Sequence, residues 1–547
     1  MTREQLAAEF PLGPDSLPQP GVPAGRVEPF ATGVSRVYPG AVRDAWLYVP
    51  AQYNPAQPAC VLIVQDGADH LKPERRWHIP TVLDNLIHRG EIPVTIGIFL
   101  NPGEVPSAVP GAAPRENRSF EYDSPGDRYA RFLLEEILPA AGRLHALRTD
   151  GASRCLMGGS SGAYCAFNAA WERPREFQRV ISIVGSYTAL RGGHQLAPLV
   201  RVCEPKPLRV FLQSGANDLR VFAGDWWTAN LEMCAALEYA GYEVQHVWAE
   251  HAGHDEFHGS MVFPDALRWA WRDYPRAPVA GASSRQTLLR LLAPGEGWQR
   301  LAGGHGAATA LAADDHGAVV FADPAQNALW HIPAGGAPAR LAAEVPGVTA
   351  LAAGGGELWF AQAEPRRVSR IDASGRRRVE RTGLLATGLE RSTDGRVYAA
   401  EPVTGRLWLR AVAGEWRPVA CGLAAPQGVR LSADQGLLLV SDAAGGAAQA
   451  CTVQPDGTLV DAAPYFPLHG QATGAIATAR TGWSVHATVR GLEVAMRNGV
   501  IAGIISPPEG EGVVGVALAG IAGDELIVST GRHVYRRRIR PEADLWG

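Results

Sequence analysis

The stretch Cys155-Leu156-Met157-Gly158-Gly159-Ser160-Ser161-Gly162-Ala163-Tyr164 decides how the rest of the chain is read. Gly158 to Gly162 spell G-x-S-x-G with Ser160 at the centre. Small residues on both sides of a serine allow a strand to turn into a helix so sharply that the hydroxyl is left exposed at the apex. The flanks agree with such a turn. Ser153 to Met157 reads as a short buried strand, and Ser161 to Trp171 as a helix with one apolar face.

Moving outward from the serine, continuous apolar runs at 59–65, 94–100, 179–185 and 208–213 have the character of parallel strands buried on both faces. Helical patterns at 81–89, 128–144, 226–239 and 264–271 alternate with them, and a further strand is expected at 244–248. Strand and helix in alternation predict an α/β domain built on a mostly parallel sheet. The Pro- and Gly-rich residues 1–33 read as an extended arm, 34–275 as the α/β domain and 276–297 as a linker. The long stretch 101–125 reads as a loop of the kind that often carries function.

From residue 298 to 547 the texture is all-β and repetitive. HGAVVFAD (316–323), GGELWFAQ (355–362), DGRVYAAE (394–401), QGLLLVSD (435–442), TGWSVHAT (481–488) and GDELIVST (523–530) are one unit, a turn followed by a hydrophobic strand. Their spacing of about forty residues is the period of a four-stranded propeller blade, and six units predict six blades.

Composition bounds the function. At 547 residues the chain is too long for a single core. A net charge of −4 supplies no basic field for nucleic acid, and no apolar run reaches the length of a membrane span. Seven scattered cysteines with no CxxC pair form neither a disulfide framework nor a zinc pattern. The first thirty residues hold no apolar segment of the signal-peptide type, so the expected location is cytoplasmic unless the start has been trimmed.

A serine hydroxyl needs a base to take its proton, and the base needs an acid to hold its tautomer. Around a nucleophile elbow these follow in the order serine, acid, histidine, each on a loop after a later strand. Asp218 lies in Ser214-Gly-Ala-Asn-Asp218 after the strand 208–213, with Asp225 and Glu250 as alternatives. His254 follows Gly253 after the strand 244–248 and is the candidate base. His246, His251 and His258 crowd the same region, but their spacing is not that of a metalloprotease and no cysteine joins the run, so no metal is assigned. Two N–H donors are needed for the oxyanion: Ser161, opening the helix, and Ala68, in the loop after Gln65. Arg118, Glu121, Tyr122, Trp226 and Trp227 are candidates for contacting the substrate, the aromatic ones suiting a ring.

Residues 30–275 resemble the enterochelin-esterase/esterase D branch of the α/β-hydrolases, which includes feruloyl and acetyl xylan esterases. The resemblance rests on VLIVQDGAD (61–69), ENRSFEYD (116–123), LMGGSSGAY (156–164), SGANDL (214–219) and AGH (252–254). It implies cofactor-free hydrolysis of a carboxylic ester through an acyl-enzyme, with Ser160 as nucleophile, His254 as base and Asp218 as acid. Ser214 stands where the branch often has an aspartate. The propeller is similar to the gluconolactonase and senescence-marker group, whose members hold a divalent ion with Glu, Asn and Asp on the central axis. At the corresponding places this sequence has Thr309, Thr387, Gln427 and Thr473, which are poor substitutes for carboxylates around such an ion. The expectation is therefore a serine esterase acting on a carbohydrate-linked, phenolic or siderophore-like ester. The rivals are a metal-dependent sugar lactonase seated in the propeller, or a glycan- or partner-binding propeller beside a vestigial esterase.

Overall fold

The computed structural model describes residues 1–302, 308–419, 422–508, 511–543 and 545. Cys421 and the end of the second domain at Gly547 lie outside the described residues. The chain divides into two compact units: Met1–Arg201 with Pro205–Arg285, and Val202–Glu204 with Gln286–Gly547.

The first unit is built on an eight-stranded sheet. Its strands are β1 (Arg26–Pro29), β2 (Ala45–Val49), β3 (Cys60–Gln65), β4 (Thr95–Leu100), β5 (Arg154–Gly159), β6 (Arg179–Ile183), β7 (Arg209–Asn217) and β8 (Glu243–Gly253). They lie in the order β1-β2-β4-β3-β5-β6-β7-β8. The β1–β2 and β2–β4 pairs are antiparallel, and every pair from β4 to β8 is parallel. Every residue of β3, β4 and β6 is buried, as continuous apolar runs demand when helices cover both faces. The helices used below are α1 (Arg3–Glu9), α2 (Gly67–Leu71), α3 (Ile79–His88), α4 (Arg118–Tyr122), α5 (Ser161–Glu172), α6 (Trp226–Ala240) and α7 (Phe257–Trp271).

Three segments differ in detail from expectation. Residues 1–33, read as an extended arm, hold regular elements: α1 leads to Phe10, which is buried against Ala252 and Phe257, and β1 is the edge strand of the sheet. Pro and Gly there shape the path of a chain whose few apolar side chains still find the core. The stretch 101–125 contains a two-stranded ribbon, Glu104–Val105 with Arg115–Glu116, and then α4. The expected linker also shortens, because Gln286 and the helix Thr287–Leu291 belong to the second unit.

The second unit is a six-bladed propeller. Each blade is a four-stranded antiparallel sheet, and each quoted repeat supplies its second strand: Val319–Asp323, Glu357–Gln362, Val397–Glu401, Leu437–Asp442, Ser484–Thr488 and Glu525–Ser529. The ring closes on itself. Gln299–Ala302, from the start of the domain, pairs with Val534–Arg538 as the outermost strand of the last blade. Facing blades are joined by apolar clusters, such as Tyr398 and Leu407 with Val429, Leu438 and Val440. Turn-plus-strand repeats therefore predict this architecture for a physical reason: one blade cannot bury both of its faces alone, and stacking six around an axis can.

Candidate active site

The sheet order reverses between β3 and β5, whose carboxyl ends lie side by side. In open α/β sheets this is where ligand sites form. Ser160 follows β5 directly, at φ 58° and ψ −122°, and α5 starts at the next residue. That backbone is costly for any residue with a Cβ and is held by its surroundings. The Ser160 N–H donates to the Ile183 carbonyl, and its own carbonyl accepts from Ser186, Ala163 and Tyr164. Gly158 is required rather than merely tolerated: a Cβ there would lie 2.3 Å from the Gly162 carbonyl carbon.

The acid and the histidine reach the serine through strand register. In the parallel β7–β8 pair, Gly253 stands opposite Asn217, so the next residue of each strand, His254 and Asp218, leaves the sheet beside the other. His254 Nε2 lies 2.8 Å from Ser160 Oγ, and His254 Nδ1 lies 2.6 Å from Asp218 Oδ1. The Asp218 side chain is fully buried, while that of His254 is 21% exposed. Asp218 Oδ1 also accepts the Leu219 N–H at 2.7 Å, and Oδ2 accepts the Ser214 hydroxyl at 3.2 Å. Ser214 thus orients the carboxylate within its own loop. The Trp226 ring meets the His254 ring edge-on at 6.0 Å.

The other histidines are placed elsewhere. His251 is exposed and bonds Glu9 at 2.8 Å. His258 is buried, with Nδ1 2.8 Å from Gln213 Nε2, and burial pushes its pKa down. Asp225 caps α6 through the Thr228 N–H, and Glu250 is exposed.

Of the two candidate oxyanion donors, Ser161 is the first residue of α5, where a helix leaves its N–H groups without intrahelical acceptors. The Ala68 N–H is engaged: it donates to Asn101 Oδ1 at 2.9 Å. An oxyanion at Ala68 would have to displace that side chain. Asn101 follows β4, and nothing in the local sequence of 66–68 announces its reach across the sheet.

The five candidate substrate contacts separate by burial. Arg118 keeps a 41% exposed side chain and grips Asp66 through two bonds of 2.9 and 2.8 Å. Asp66 in turn approaches the elbow, its Oδ2 lying 3.3 Å from where a Gly162 Cβ would stand. Glu121 does not face a ligand; it is buried in an ion pair with Arg43, at 2.6 and 3.1 Å, and accepts from Asn117 and Gly103. Tyr122 is likewise fully buried, its hydroxyl taking the Asp66 N–H and donating to the Leu100 carbonyl. The polar tips that made these two look available are spent on tying α4 to the sheet. Trp226 is 3% exposed, and its indole N–H donates to Ser186 Oγ at 3.0 Å. Trp227 packs edge-on against Trp248 at 5.5 Å. Sequence reading passed over Ser186, whose Oγ lies 3.2 Å from Ser160 Oγ; the only signal was its place just after a buried strand.

In the propeller, Thr309, Thr387, Gln427 and Thr473 do converge on one cavity of about 430 Å³ lined by the first strands of the blades. Thr387 donates its hydroxyl to the Gln427 carbonyl and Thr473 to that of Val513, each bridging to the next blade.

Residues 39–271 match the family described as "Putative esterase". The iron(III) enterobactin esterase of Dickeya dadantii (strain 3937) is 29% identical over 254 residues, 42% of this chain and 51% of that protein. The chain thus spans about half the length of the curated relative it matches. Among solved structures, the enterobactin esterase of Shigella flexneri is 19% identical, covering 48% of this chain and 63% of its own, with a TM-score of 0.37. A gluconolactonase of Xanthomonas campestris is 17% identical, covering 46% and 93%, with a TM-score of 0.42. Residues 39–271, matched by the esterase family model, thus form an α/β domain carried in one chain with a six-bladed β-propeller.

Proposed function

We propose that the protein hydrolyses a carboxylic ester through an acyl-enzyme on Ser160. The observation that carries this reading is the unbroken line from Ser160 Oγ to His254 to the buried Asp218, at 2.8 and 2.6 Å. His254 Nε2 takes the hydroxyl proton as Oγ bonds the carbonyl carbon, and Asp218 favours the imidazolium that results. Collapse of the tetrahedral intermediate breaks the bond to the alcohol, which leaves with the proton from His254. Water then attacks the acyl-enzyme by the same route in reverse, releasing the acid and restoring Ser160. Ser161 supplies an N–H to the oxyanion, and Ser186, held by Trp226, keeps Ser160 Oγ in place.

The preferred substrate is a phenolic or carbohydrate-linked ester, with siderophore-type esters included because the curated relative is named for iron(III) enterobactin. Arg118, held by Asp66 and partly exposed, is the candidate among these for meeting a polar substituent of the substrate. The test is Ser160→Ala assayed on short-chain p-nitrophenyl esters, acetylated sugars, methyl ferulate and enterobactin. Hydrolysis should fall by about a thousandfold or more with the thermal melt unchanged, and labelling by a fluorophosphonate should vanish. Activity within tenfold of the parent protein would overturn the assignment.

A further inference from the structure

A second cluster of reactive side chains lies away from Ser160, between α6 and β8. Cys234 and Glu238 stand one helical turn apart on α6 and so share a face. His246, on β8, turns its Nδ1 toward both. Cys234 Sγ is 3.3 Å from His246 Nδ1 and 3.7 Å from Glu238 Oε1, and those last two atoms are 3.6 Å apart. Three potential ligand atoms thus form a nearly equilateral triangle. Zinc bound at about 2.3 Å to sulfur and 2.0–2.1 Å to nitrogen or oxygen in a tetrahedron spaces its ligands about 3.3–3.6 Å apart.

We infer that Cys234, Glu238 and His246 form a binding site for a zinc-type divalent cation. In the tautomer that leaves Nδ1 unprotonated, the thiol proton satisfies one of the two acceptors facing it, whereas one cation at the centre of the triangle satisfies all three atoms. Thiolate, imidazole and carboxylate together select a borderline-soft metal over calcium or magnesium. The parts are preorganised. The His246 ring is stacked on Trp248 at 4.9 Å and 20°, and Trp248 is itself braced by Trp227. Cys234 is buried, while the His246 and Glu238 side chains are 40% and 53% exposed. The metal would therefore enter from solvent and keep water in a fourth position. Neither the cysteine spacing nor the histidine run revealed this, because the ligands come from a helix and a strand and only His246 of that run takes part.

The cation has a structural consequence. α6 begins with Trp226, which holds Ser186, and β8 ends immediately before His254. Fastening α6 to β8 braces the ground on which the serine site stands without placing metal at the reacting atoms. The experiment strips the two-domain chain with a chelator and then titrates it with zinc chloride, and separately with cobalt(II) chloride. One zinc per chain should bind and raise the melting temperature, and cobalt(II) should show a thiolate charge-transfer absorption. Cys234→Ser should abolish that absorption, and both it and His246→Gln should weaken zinc binding by about 10–100-fold or more while ester hydrolysis persists. His246→Gln alters an exposed ring and keeps the test valid if Cys234→Ser folds poorly. Absence of stoichiometric zinc, or equal binding by the parent protein and His246→Gln, would overturn the inference.

Discussion

One imidazole among four does the proton transfer in the proposed reaction, and the reason is geometric. His254 alone reaches both Ser160 Oγ and Asp218, because β7 and β8 release Asp218 and His254 at matched register. His254→Ala should therefore be as damaging as Ser160→Ala, while His251→Ala, which removes only an exposed contact with Glu9, should keep turnover within a few fold of the parent. Steady-state kinetics of the two variants decide it; a silent His254→Ala would mean another base serves Ser160. Chain order made Ser160, Asp218 and His254 readable as candidates, because serine, acid and histidine follow in that order around an elbow, and strand register brings them within hydrogen-bond reach. The side chains around them were not readable in this way. Glu121 and Tyr122 sit in a segment that reads as a polar loop, yet Arg43, some eighty residues earlier, draws Glu121 inward, and the Asp66 amide does the same for Tyr122. Partners so distant in sequence leave no local signal. Asn101 at the Ala68 amide and Ser186 beneath Ser160 were missed for the same reason.

At the scale of elements, periodicity carried most of the information. Buried parallel strands announce themselves by unbroken apolar runs, and the six turn-strand units mark the second strand of every blade. What periodicity could not show is closure. The strand Gln299–Ala302 is four residues long with no pattern of its own, and its place is set by Val534–Arg538 at the other end of the domain. One blade strand also holds a group whose burial has a measurable consequence. His486, in Ser484–Thr488, is buried with Nε2 3.0 Å from Ser484 Oγ and its ring edge-on to Phe466 at 4.9 Å. Burial depresses its pKa from the ordinary 6.5 to about 3. As pH falls below about 6.5 the unfolded chain takes up this proton before the folded one does. The neutral ring's contribution is therefore complete above that pH and is drawn down between about 6.5 and 3. His486→Gln should accordingly flatten the fall of the propeller's melting temperature between pH 7 and pH 4, followed by calorimetry. An equal fall in both proteins would place the acid sensitivity elsewhere.

For the whole molecule, the question is which of two folds carries the chemistry. A propeller lactonase must hold an ion tightly enough to polarise a carbonyl and present water to it, which calls for charged oxygen ligands with open positions beside them. The cavity between the blades offers Thr309, Thr387, Gln427 and Thr473, and two of these hydroxyls already bridge neighbouring blades. Those bonds tie successive blades together. In the proposed reaction, charge at the reacting atoms is handled by Asp218, His254 and backbone N–H groups. Treating the two-domain chain with EDTA should then leave kcat on its best ester unchanged. If Cys234, Glu238 and His246 hold zinc, the same treatment lowers the melting temperature, so rate and stability part company in one experiment. The decisive case is Ser160→Ala offered a sugar lactone such as glucono-δ-lactone. It should show no hydrolysis above the uncatalysed rate, with or without added divalent metal. Lactone hydrolysis that survives Ser160→Ala and disappears with EDTA would move the catalytic centre to the propeller axis and leave the esterase domain as its companion.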